Sequence, residues 1–244
     1  MKKILVIGDS CWDEHIYCSA DRLCPDKPVP VLVPVIKTVN PGMAANVHRN
    51  IYSQYPFCEL FTNKNAEDIK KTRYVHQSTN HLFFRVDSGG RSLGIDTKDI
   101  EYDYDLIVVS DYDKGFLSEC DIQTIIQNHP KVILDTKKIL GDWAVGAHLI
   151  KINNHEYDRS KHFIFSNPHL SNKIIKTCGS KGCEFLEKTY PVDEHDVIDV
   201  SGAGDSFLAG FCIKYVQNSN IEEAIIYANK CASEVVQKRG VTSI

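Results

Sequence analysis

Short apolar runs that each end in a polar or glycine residue recur along this chain, and they constrain its fold more than any other feature. Segments with helical character lie between some of these runs, for example residues 119–128. Strands that alternate with helices predict a parallel sheet covered on both faces, and such a sheet binds ligands at the carboxyl ends of its strands. The apolar runs are residues 3–8, 106–109, 132–134, 148–152 and 174–177.

The two ends of the chain carry further signals of its fold. Near the C-terminus, apolar residues at helical spacing predict two long helices over about 203–217 and 221–238. Near the N-terminus, prolines at positions 25, 28, 30 and 34 exclude a helix or a central strand, so this segment is predicted to be an edge strand or a flap. We therefore predict an α/β fold in which residues 1–244 form a single domain, with a doubly wound, mainly parallel sheet, helices on both faces and a small β lid over about 14–40.

Composition and charge disfavour several classes of function. With 28 basic residues, 32 acidic residues and a net charge of -4, the chain has no long basic run, so a surface for nucleic acid or for anionic membranes is not expected. Its short basic pairs, Lys70-Lys71 and Lys137-Lys138, are predicted to be solvated surface charges. The 9 cysteines are odd in number and form no Cys-x-x-Cys pair, which favours free thiols in a reducing compartment. Since no apolar run reaches membrane-spanning length, a soluble cytoplasmic protein is predicted.

One glycine loop near the C-terminus indicates chemistry. The segment Asp199-Val-Ser-Gly-Ala-Gly-Asp205 precedes a helical run, and its glycines let the backbone approach a ligand closely. Free N–H groups and the helix dipole at such a terminus attract phosphate, while Asp205 is placed to take a proton from an alcohol. Read by itself, the pattern also fits a glycine turn capped by Asp205. The sequence contains no Walker A loop and no protein-kinase signature.

This segment resembles the C-terminal signature of the ribokinase-like, or PfkB-type, carbohydrate kinases. The resemblance implies a ribokinase-like fold and the phosphorylation of a sugar hydroxyl by ATP. It also implies that Asp205 is the catalytic base and that Gly202, Ala203 and Gly204 form the anion hole. The expected partners are small molecules, a sugar or a sugar phosphate, with no nucleic acid and no membrane.

Further segments are similar to nucleotide-side motifs of the same family. Residues 153–156 match its Asn-x-x-Glu motif, which implies that Asn153 and Glu156 organise Mg²⁺ and the nucleotide phosphates; a plain strand-to-helix connection is the alternative. Residues 177–182 resemble its Thr-x-Gly-x-x-Gly turn and by themselves would indicate a hairpin turn. Asn229 is assigned either to the adenine pocket or to a capping role. The resemblance thus places ATP against Thr177, Gly179, Lys181, Gly182 and Asn229.

Two segments near the N-terminus resemble the sugar-binding elements of the family. Asp13 matches the aspartate that binds sugar hydroxyls, since a carboxylate can accept two hydroxyl protons; an aspartate that caps a turn is the alternative. Residues 41–46 resemble a paired-glycine element, Gly-Gly-x-x-Asn, which assigns Gly42 and Asn46 to the substrate. Met43 stands at the second glycine position, and because the paired glycines serve as a hinge, we expect the hinge to differ here.

Several details narrow the resemblance to the kinase part of the bifunctional ADP-heptose synthases. Residues 24–31, 110–115 and 238–242 look like that group, as do residues 71–73 and 85–87. The kinase of that group phosphorylates the C1 hydroxyl of heptose 7-phosphate. A phosphorylated substrate needs cations, and Arg73, Arg85 and Lys114 are the candidates, although each could instead be a surface charge.

Two alternatives stay open at this point. The chain could phosphorylate another sugar or a nucleoside, or it could be a non-catalytic relative that binds nucleotide. A short region over about 57–70 and the presence of Met43 favour the second alternative, whereas Asp205 and Glu156 oppose it. The short region could also leave a surface that a second copy covers, which makes a homodimer a candidate assembly.

Overall fold

The structure is a computed structural model that describes residues 1–193, 196–240 and 242–244, so Val241 of the 238–242 segment lies outside the described residues. Strands and α-helices are numbered separately in chain order. The strands are β1 (Ile4–Gly8), β2 (Ser10–Ser19), β3 (Val33–Met43), β4 (Cys58–Thr62), β5 (Lys70–His76), β6 (Leu82–Ser88), β7 (Leu106–Asp111), β8 (Val132–Thr136), β9 (Leu149–Asn153), β10 (Ile174–Thr177), β11 (Cys183–Phe185) and β12 (Lys188–Tyr190). The helices are α1 (Ala44–Gln54), α2 (Glu119–Asn128), α3 (Asn154–Ser166), α4 (Pro168–Ser171), α5 (Ala203–Asn218) and α6 (Ile221–Val236).

An eight-stranded sheet forms the body of the molecule, with the strand order β12-β11-β10-β9-β8-β7-β1-β4. The strands from β4 to β10 in this order pair in parallel, and β11 and β12 add an antiparallel edge. Every residue of β1, β7 and β8 is buried, because both faces of the sheet are covered and such strands need continuous apolar runs. All five apolar runs found in the sequence lie in this sheet, so the predicted mainly parallel sheet is confirmed.

Two hydrophobic cores lie on opposite faces of this body. Alternate residues of β1 point to alternate faces, so Ile4 and Val6 join one core while Leu5 and Ile7 join the other. The first core is completed by α1, α5 and α6, and the second by α2 and α3. The predicted helices at 119–128 and from 203 are confirmed. Helix α6 ends two residues before the predicted end at 238, because Gly240 turns the chain back to donate its N–H to Asp199 Oδ2 (3.1 Å).

A second sheet of four strands, in the order β3-β2-β5-β6, forms the lid. Of the predicted segment 14–40, residues 14–19 lie in β2 and residues 33–40 in β3, with residues 20–32 as the connection between them. The sheet also uses β5 and β6, which had not been assigned to it. Strand β3 is an edge strand that includes Pro34 and Pro41, as the prolines indicated. By register, Val39, Glu14, Thr72 and Val86 form one row on the outer face, while Asp13 and Lys71 lie on the face toward the body.

The chain crosses between the body and the lid four times, and two of these crossings lie side by side. Strand β1 passes into β2 at Asp9, and β3 passes into α1 at Met43; the Ala44 N–H donates to the Asp9 carbonyl oxygen (2.9 Å). Met43 has φ +58° and ψ −131°, a backbone conformation that only glycine adopts without strain. The position predicted to match the second glycine of the Gly-Gly element therefore keeps a glycine-like backbone, although a buried methionine side chain occupies it.

Two predictions from composition can be compared with the structure. All nine cysteines are free thiols, as their odd number and spacing indicated. In the described ranges there is no helix with the length and hydrophobicity that a membrane crossing requires.

Candidate active site

Asp205 lies at the N-terminal end of α5, buried beneath a cavity between the lid and the body. Its Oδ2 accepts a hydrogen bond from Asn46 Nδ2 of α1 (2.8 Å), and its Oδ1 accepts a hydrogen bond from the Tyr112 hydroxyl. Two donors from two different elements therefore fix the plane of this carboxylate. The predicted pair of Asp205 and Asn46 is brought together, whereas Tyr112 had not been identified from the sequence.

The environment of Asp205 changes the strength of this acid. Burial raises the pKa of the Asp205 carboxyl above its usual value, while the donors Asn46 and Tyr112 and the ammonium of Lys151 oppose that rise. A carboxylate with a raised pKa accepts a proton more readily near neutral pH than a solvated one does. The geometry and the direction of the shift suit proton abstraction from a weakly acidic group.

The loop before α5, predicted to be an anion hole, turns at a left-handed glycine. Gly202 stands at the N-cap with φ +81° and ψ −1°, in the left-handed region that favours glycine. A Cβ added at Gly204 would lie 3.4 Å from Lys151 Nζ, so an ammonium group lies next to this loop. The Ala203 N–H donates to the Val200 carbonyl oxygen over 3.3 Å, so one of the three predicted anion-hole residues has its N–H engaged within the loop.

Lys151 forms a buried ion pair with Asp135 across the parallel strands β8 and β9, with Nζ and Oδ2 2.9 Å apart and both side chains about 5% exposed or less. Sequence reasoning missed this pair. The signal was a lysine inside the apolar run of residues 148–152, since lysine is almost never buried without a partner. A buried cation close to Gly204 and Asp205 supports negative charge at this end of the sheet.

Asn153 and Glu156 meet at the start of α3 in a capping box. Asn153 Oδ1 accepts from the Glu156 N–H (2.9 Å), and Glu156 Oε2 accepts from the Asn153 N–H (2.8 Å). The buried Glu156 carboxylate also pairs with Lys137. The motif thus forms the strand-to-helix connection that was its alternative interpretation. Glu156 Oε1 accepts from both Lys137 Nζ and Asn153 Nδ2, so Glu156 Oε2 and Asn153 Oδ1 are the oxygens of this motif that keep a second lone pair. Among the described residues, no group of three or more His, Cys, Asp or Glu side chains could hold a metal ion.

The turn at residues 177–182 is a hairpin between β10 and β11, as its pattern by itself indicated. A short 3₁₀ turn, Gly179–Lys181, joins the strands, and Gly179 and Gly182 both have positive φ. A Cβ added at Gly182 would lie 2.1 Å from the carbonyl oxygen of Tyr190, so only glycine fits. Asn229 of α6 donates to that same carbonyl oxygen (2.8 Å). The structure therefore brings Gly182 and Asn229 to one backbone segment, with Thr177 and Lys181 at the ends of the turn.

A cavity of about 90 Å³ lies over Asp205. From the lid it is lined by Asp13, Lys71 and Arg73, and from the body by Asn46 and Tyr112, with Ser201, Gly202 and Asp205 at its base. Asp13 Oδ1 pairs with Arg73 Nη1 (2.6 Å). The predicted sugar-side residues Asp13 and Asn46 thus share one cavity with the predicted base.

Gly42 affects this cavity because it has no side chain next to Asp13. A Cβ added at Gly42 would lie 2.4 Å from Asp13 Oδ2, so a side chain at this position would displace the carboxylate. This gives a physical reason for glycine at the position, in place of a direct contact with a ligand.

Arg85 and Lys114 lie outside this cavity. Arg85 is half-exposed on the edge strand β6, opposite Arg73 of β5, and pairs with Asp87 (2.7 Å). Lys114 is exposed in the loop after β7, where Asp113 and Gly115 both have positive φ. The cations that line the cavity are Lys71 and Arg73.

The prediction of solvated surface charge for the lysine pairs is wrong for three of these lysines. Lys71 lines the cavity, and Lys137 pairs with the buried Glu156. The Lys138 side chain is only 11% exposed and pairs with the buried Asp111 (2.9 Å). The partners of Lys137 and Lys138 are far away in sequence, which is why charge patterning along the chain could not reveal them.

The family model described as pfkB family carbohydrate kinase matches residues 120–244. Among curated proteins, the bifunctional protein HldE of Helicobacter acinonychis (strain Sheeba) is 30% identical over 299 aligned positions, which cover 98% of this chain and 64% of that protein. The bifunctional protein HldE of a Nitratiruptor species is 27% identical, with coverages of 99% and 63%. The chain therefore spans slightly less than two thirds of the length of these relatives. Since 299 aligned positions exceed the 244 residues of the chain, the alignment contains gaps in this chain, in agreement with a shortened region.

Solved structures with the same fold include three sugar or nucleoside kinases. The ribokinase of Thermotoga maritima has a TM-score of 0.75 at 15% identity, covering 99% of this chain and 95% of that chain. Phosphofructokinase-2 of Escherichia coli has a TM-score of 0.72 at 13% identity, with coverages of 99% and 94%. The nucleoside kinase of Methanocaldococcus jannaschii has a TM-score of 0.68 at 18% identity, with coverages of 99% and 93%. At these identities the likenesses establish the fold.

Proposed function

The chain belongs to the pfkB family of carbohydrate kinases, and from this premise we propose that it transfers the terminal phosphate of ATP to a sugar hydroxyl with Asp205 as the base. One observation carries the proposal: Asp205 is buried at the N-terminal end of α5, held by two donors, beneath a cavity lined with cations. Residues 1–244 act in this proposal as a single kinase domain whose lid includes residues 14–40.

The proposed reaction starts with the acceptor hydroxyl in the cavity over Asp205. Asp13 and Asn46 line that cavity and supply an acceptor and an amide for neighbouring sugar hydroxyls. Asp205 takes the proton of the acceptor hydroxyl. At the same time the oxygen of that hydroxyl bonds to the terminal phosphorus of ATP, and the bond from this phosphorus to the leaving ADP oxygen breaks. The loop of Gly202, Ala203 and Gly204, at the positive end of the α5 dipole, stabilises charge on the phosphoryl oxygens.

ATP is proposed to lie along the β10–β11 turn, against Thr177, Gly179, Lys181 and Gly182. The common contact of Gly182 and Asn229 with the Tyr190 carbonyl supports a preformed wall there. Magnesium, when bound, neutralises phosphate charge, and it prefers oxygen ligands while it keeps much of its water. Asn153 and Glu156 would hold the ion through water. Each has an oxygen that is already used in the capping box and can still accept a hydrogen bond from an ion-bound water molecule.

For the acceptor we propose a phosphorylated sugar, with the C1 hydroxyl of heptose 7-phosphate as the first candidate. The sequence resemblance to the kinase part of the ADP-heptose synthases supports it, as do relatives named bifunctional protein HldE. The cavity supports an anionic acceptor because Lys71 and Arg73 line it. Arg85 and Lys114 would reach such an acceptor only after a rearrangement of the lid and of the loop after β7.

The first experiment measures ADP release from Mg-ATP with heptose 7-phosphate, ribose, fructose, fructose 6-phosphate and a nucleoside. Release with heptose 7-phosphate alone supports the narrow proposal, and release with another acceptor keeps the reaction while replacing the substrate. The Asp205→Asn variant serves as the blank for each acceptor. ATP binding without release for any acceptor would favour a non-catalytic relative and overturn the proposal.

A further inference from the structure

The loop after β7 holds Tyr112 in a fixed place. The fully buried carboxylate of Asp9 accepts the Tyr112 N–H at Oδ2 (3.0 Å) and the Phe116 N–H at Oδ1 (3.2 Å). The carbonyl of the same Asp9 accepts the Ala44 N–H at the lid crossing. The backbone of Tyr112 is therefore anchored to the point where the lid leaves the body.

The side chain of Tyr112 ends on the proposed base. Its hydroxyl donates to Asp205 Oδ1, while Asn46 donates to Asp205 Oδ2. A carboxylate has about four lone-pair sites, so each oxygen keeps one site for another donor. Burial raises the pKa of the Tyr112 hydroxyl well above its usual value, and the nearby carboxylates of Asp205 and Asp135 add to this. The phenol therefore stays protonated and can act only as a donor toward Asp205.

Two ammonium groups hold the ring of Tyr112. Lys71 Nζ of the lid lies 5.1 Å from the ring centroid, and Lys137 Nζ of the body lies 5.4 Å from it, both within the range of cation–π attraction. Lys137 is itself bound to Glu156. The ring is thus held by one cation from the lid and by one from the body, and the second of these also binds a residue of the proposed magnesium site.

From this geometry we infer that Tyr112 is a positioning residue for the proposed base: its hydroxyl holds one oxygen of Asp205 so that a free lone pair is directed at the acceptor hydroxyl. The inference rests on the proposed function of Asp205 and deepens it. No motif of the sequence assigned this task to Tyr112, because the contact joins residues 93 positions apart.

The charged groups around the pair are known, so a change in titration can be traced to one bond. The titratable groups that act on Asp205 are Lys151 of β9, Asp135 of β8, Lys137 after β8, Arg49 of α1 and the thiol of Cys11 of β2. Tyr112 faces Lys71, Lys137 and Asp13. A Tyr112→Phe substitution leaves all of these groups in place and removes one donor. Since the bond from Tyr112 lowers the pKa of Asp205, its loss raises that pKa further.

The test compares Tyr112→Phe with the native protein in kcat and kcat/KM from about pH 5 to about pH 9. Loss of a hydrogen bond to a charged group predicts a fall in kcat of roughly 10- to 100-fold near neutral pH. The acid limb of the kcat/KM profile moves to higher pH, and part of the lost activity returns as the pH rises. A native kcat with a native profile would overturn the inference.

Tyr102→Phe is the matched control. Its hydroxyl is buried without a hydrogen-bond partner among the described residues, and its ring packs against the core on the α2 side of the sheet. This variant is expected to keep the native pH profile. The unfolding midpoints of both variants are measured, so that a loss of fold is separated from a loss of positioning.

The double variant Tyr112→Phe with Asp205→Asn separates this inference from the proposed function. If Tyr112 acts through Asp205, the double variant is no slower than Asp205→Asn alone, because residues that act as a unit are not additive. An equal further loss in the Asp205→Asn background would overturn the positioning role. Native turnover of Asp205→Asn would instead overturn the proposed base itself, whatever Tyr112→Phe does.

Discussion

The body and the lid of this kinase are built from sheets of opposite character. Each residue of β1, β7 and β8 in the body is buried, whereas six of the seven residues of β6 and seven of the eleven residues of β3 in the lid are exposed. The body carries the proposed base, and the lid carries the cations Lys71 and Arg73. The proposed base thus stands in a part of the molecule that is packed on both faces of its sheet, while the proposed acceptor-side cations stand on β5, between the partly covered strand β2 and the exposed strand β6.

The ion pairs of the two regions differ in the same way. Lys151 and Asp135 in the body are about 5% exposed or less, while Arg85 and Asp87 in the lid are 47% and 45% exposed. Breaking a buried pair leaves an uncompensated charge, whereas an exposed pair contributes little. The Lys151–Asp135 pair should therefore matter more for stability than the Arg85–Asp87 pair, while the lid pair at the cavity, Arg73 and Asp13, lies between them at 19% and 11% exposure.

The largest effect is expected at the proposed base. Asp205→Asn removes the group that takes the proton and keeps the shape of the side chain, so kcat should fall by about 10²- to 10⁴-fold with little change in the unfolding midpoint. Steady-state ADP release and thermal unfolding measure the two quantities. A kcat within about 2-fold of native would place the chemistry elsewhere in the body.

The next largest effect is expected on stability in the body. Lys151→Met leaves Asp135 buried without its partner and should lower the free energy of unfolding by about 3–5 kcal/mol. Arg85→Met makes the same chemical change in the exposed lid pair and should change the free energy of unfolding by less than about 1 kcal/mol. Urea unfolding of both variants measures the contrast. Equal losses would mean that the lid is as tightly packed as the body.

A smaller effect is expected for recognition by the lid. Lys71→Met should raise KM for a phosphorylated acceptor by roughly 10- to 100-fold, since it removes a charge-assisted bond, and the KM for ATP should change much less. Lys70→Met is the control, because Lys70 is exposed and points to the other face of β5. Equal KM values for the two variants would show that Lys71 does not contribute to acceptor binding.

The smallest effect is expected in the pH dependence of the free energy of unfolding. His15 of β2 is buried with both ring nitrogens unpaired among the described residues, and burial lowers its pKa. The unfolded chain then binds protons more readily than the folded one, so stability falls as the pH drops below about 6.5 toward the lowered pKa. His15→Phe should lose less stability between pH 7 and pH 5 than the native chain, measured by urea unfolding, and exposed His81→Phe should behave like the native chain.

The body could be predicted from the sequence because local signals and tertiary structure agree there. Apolar runs such as residues 132–134, each ended by a polar or glycine residue and with helical segments between some of them, favour buried parallel strands, and the glycine loop before Asp205 favours a helix start. Strand β5 was missed because Lys70–His76 mixes charged and aromatic residues, and its pairing with β2 decides its structure. The contacts of Tyr112 and of the buried lysines were missed for a related reason, since their partners are distant in sequence.

Gly42 has a consequence for how this gene would tolerate random change. Its side chain performs no chemistry, but even an alanine there would place an atom 2.4 Å from Asp13 Oδ2. In a saturation library selected for activity, position 42 should therefore be depleted of variants as strongly as Asp13, while the folded protein still accumulates in the cell. Such a site would be scored as catalytic by its intolerance alone, although what it supplies is empty space.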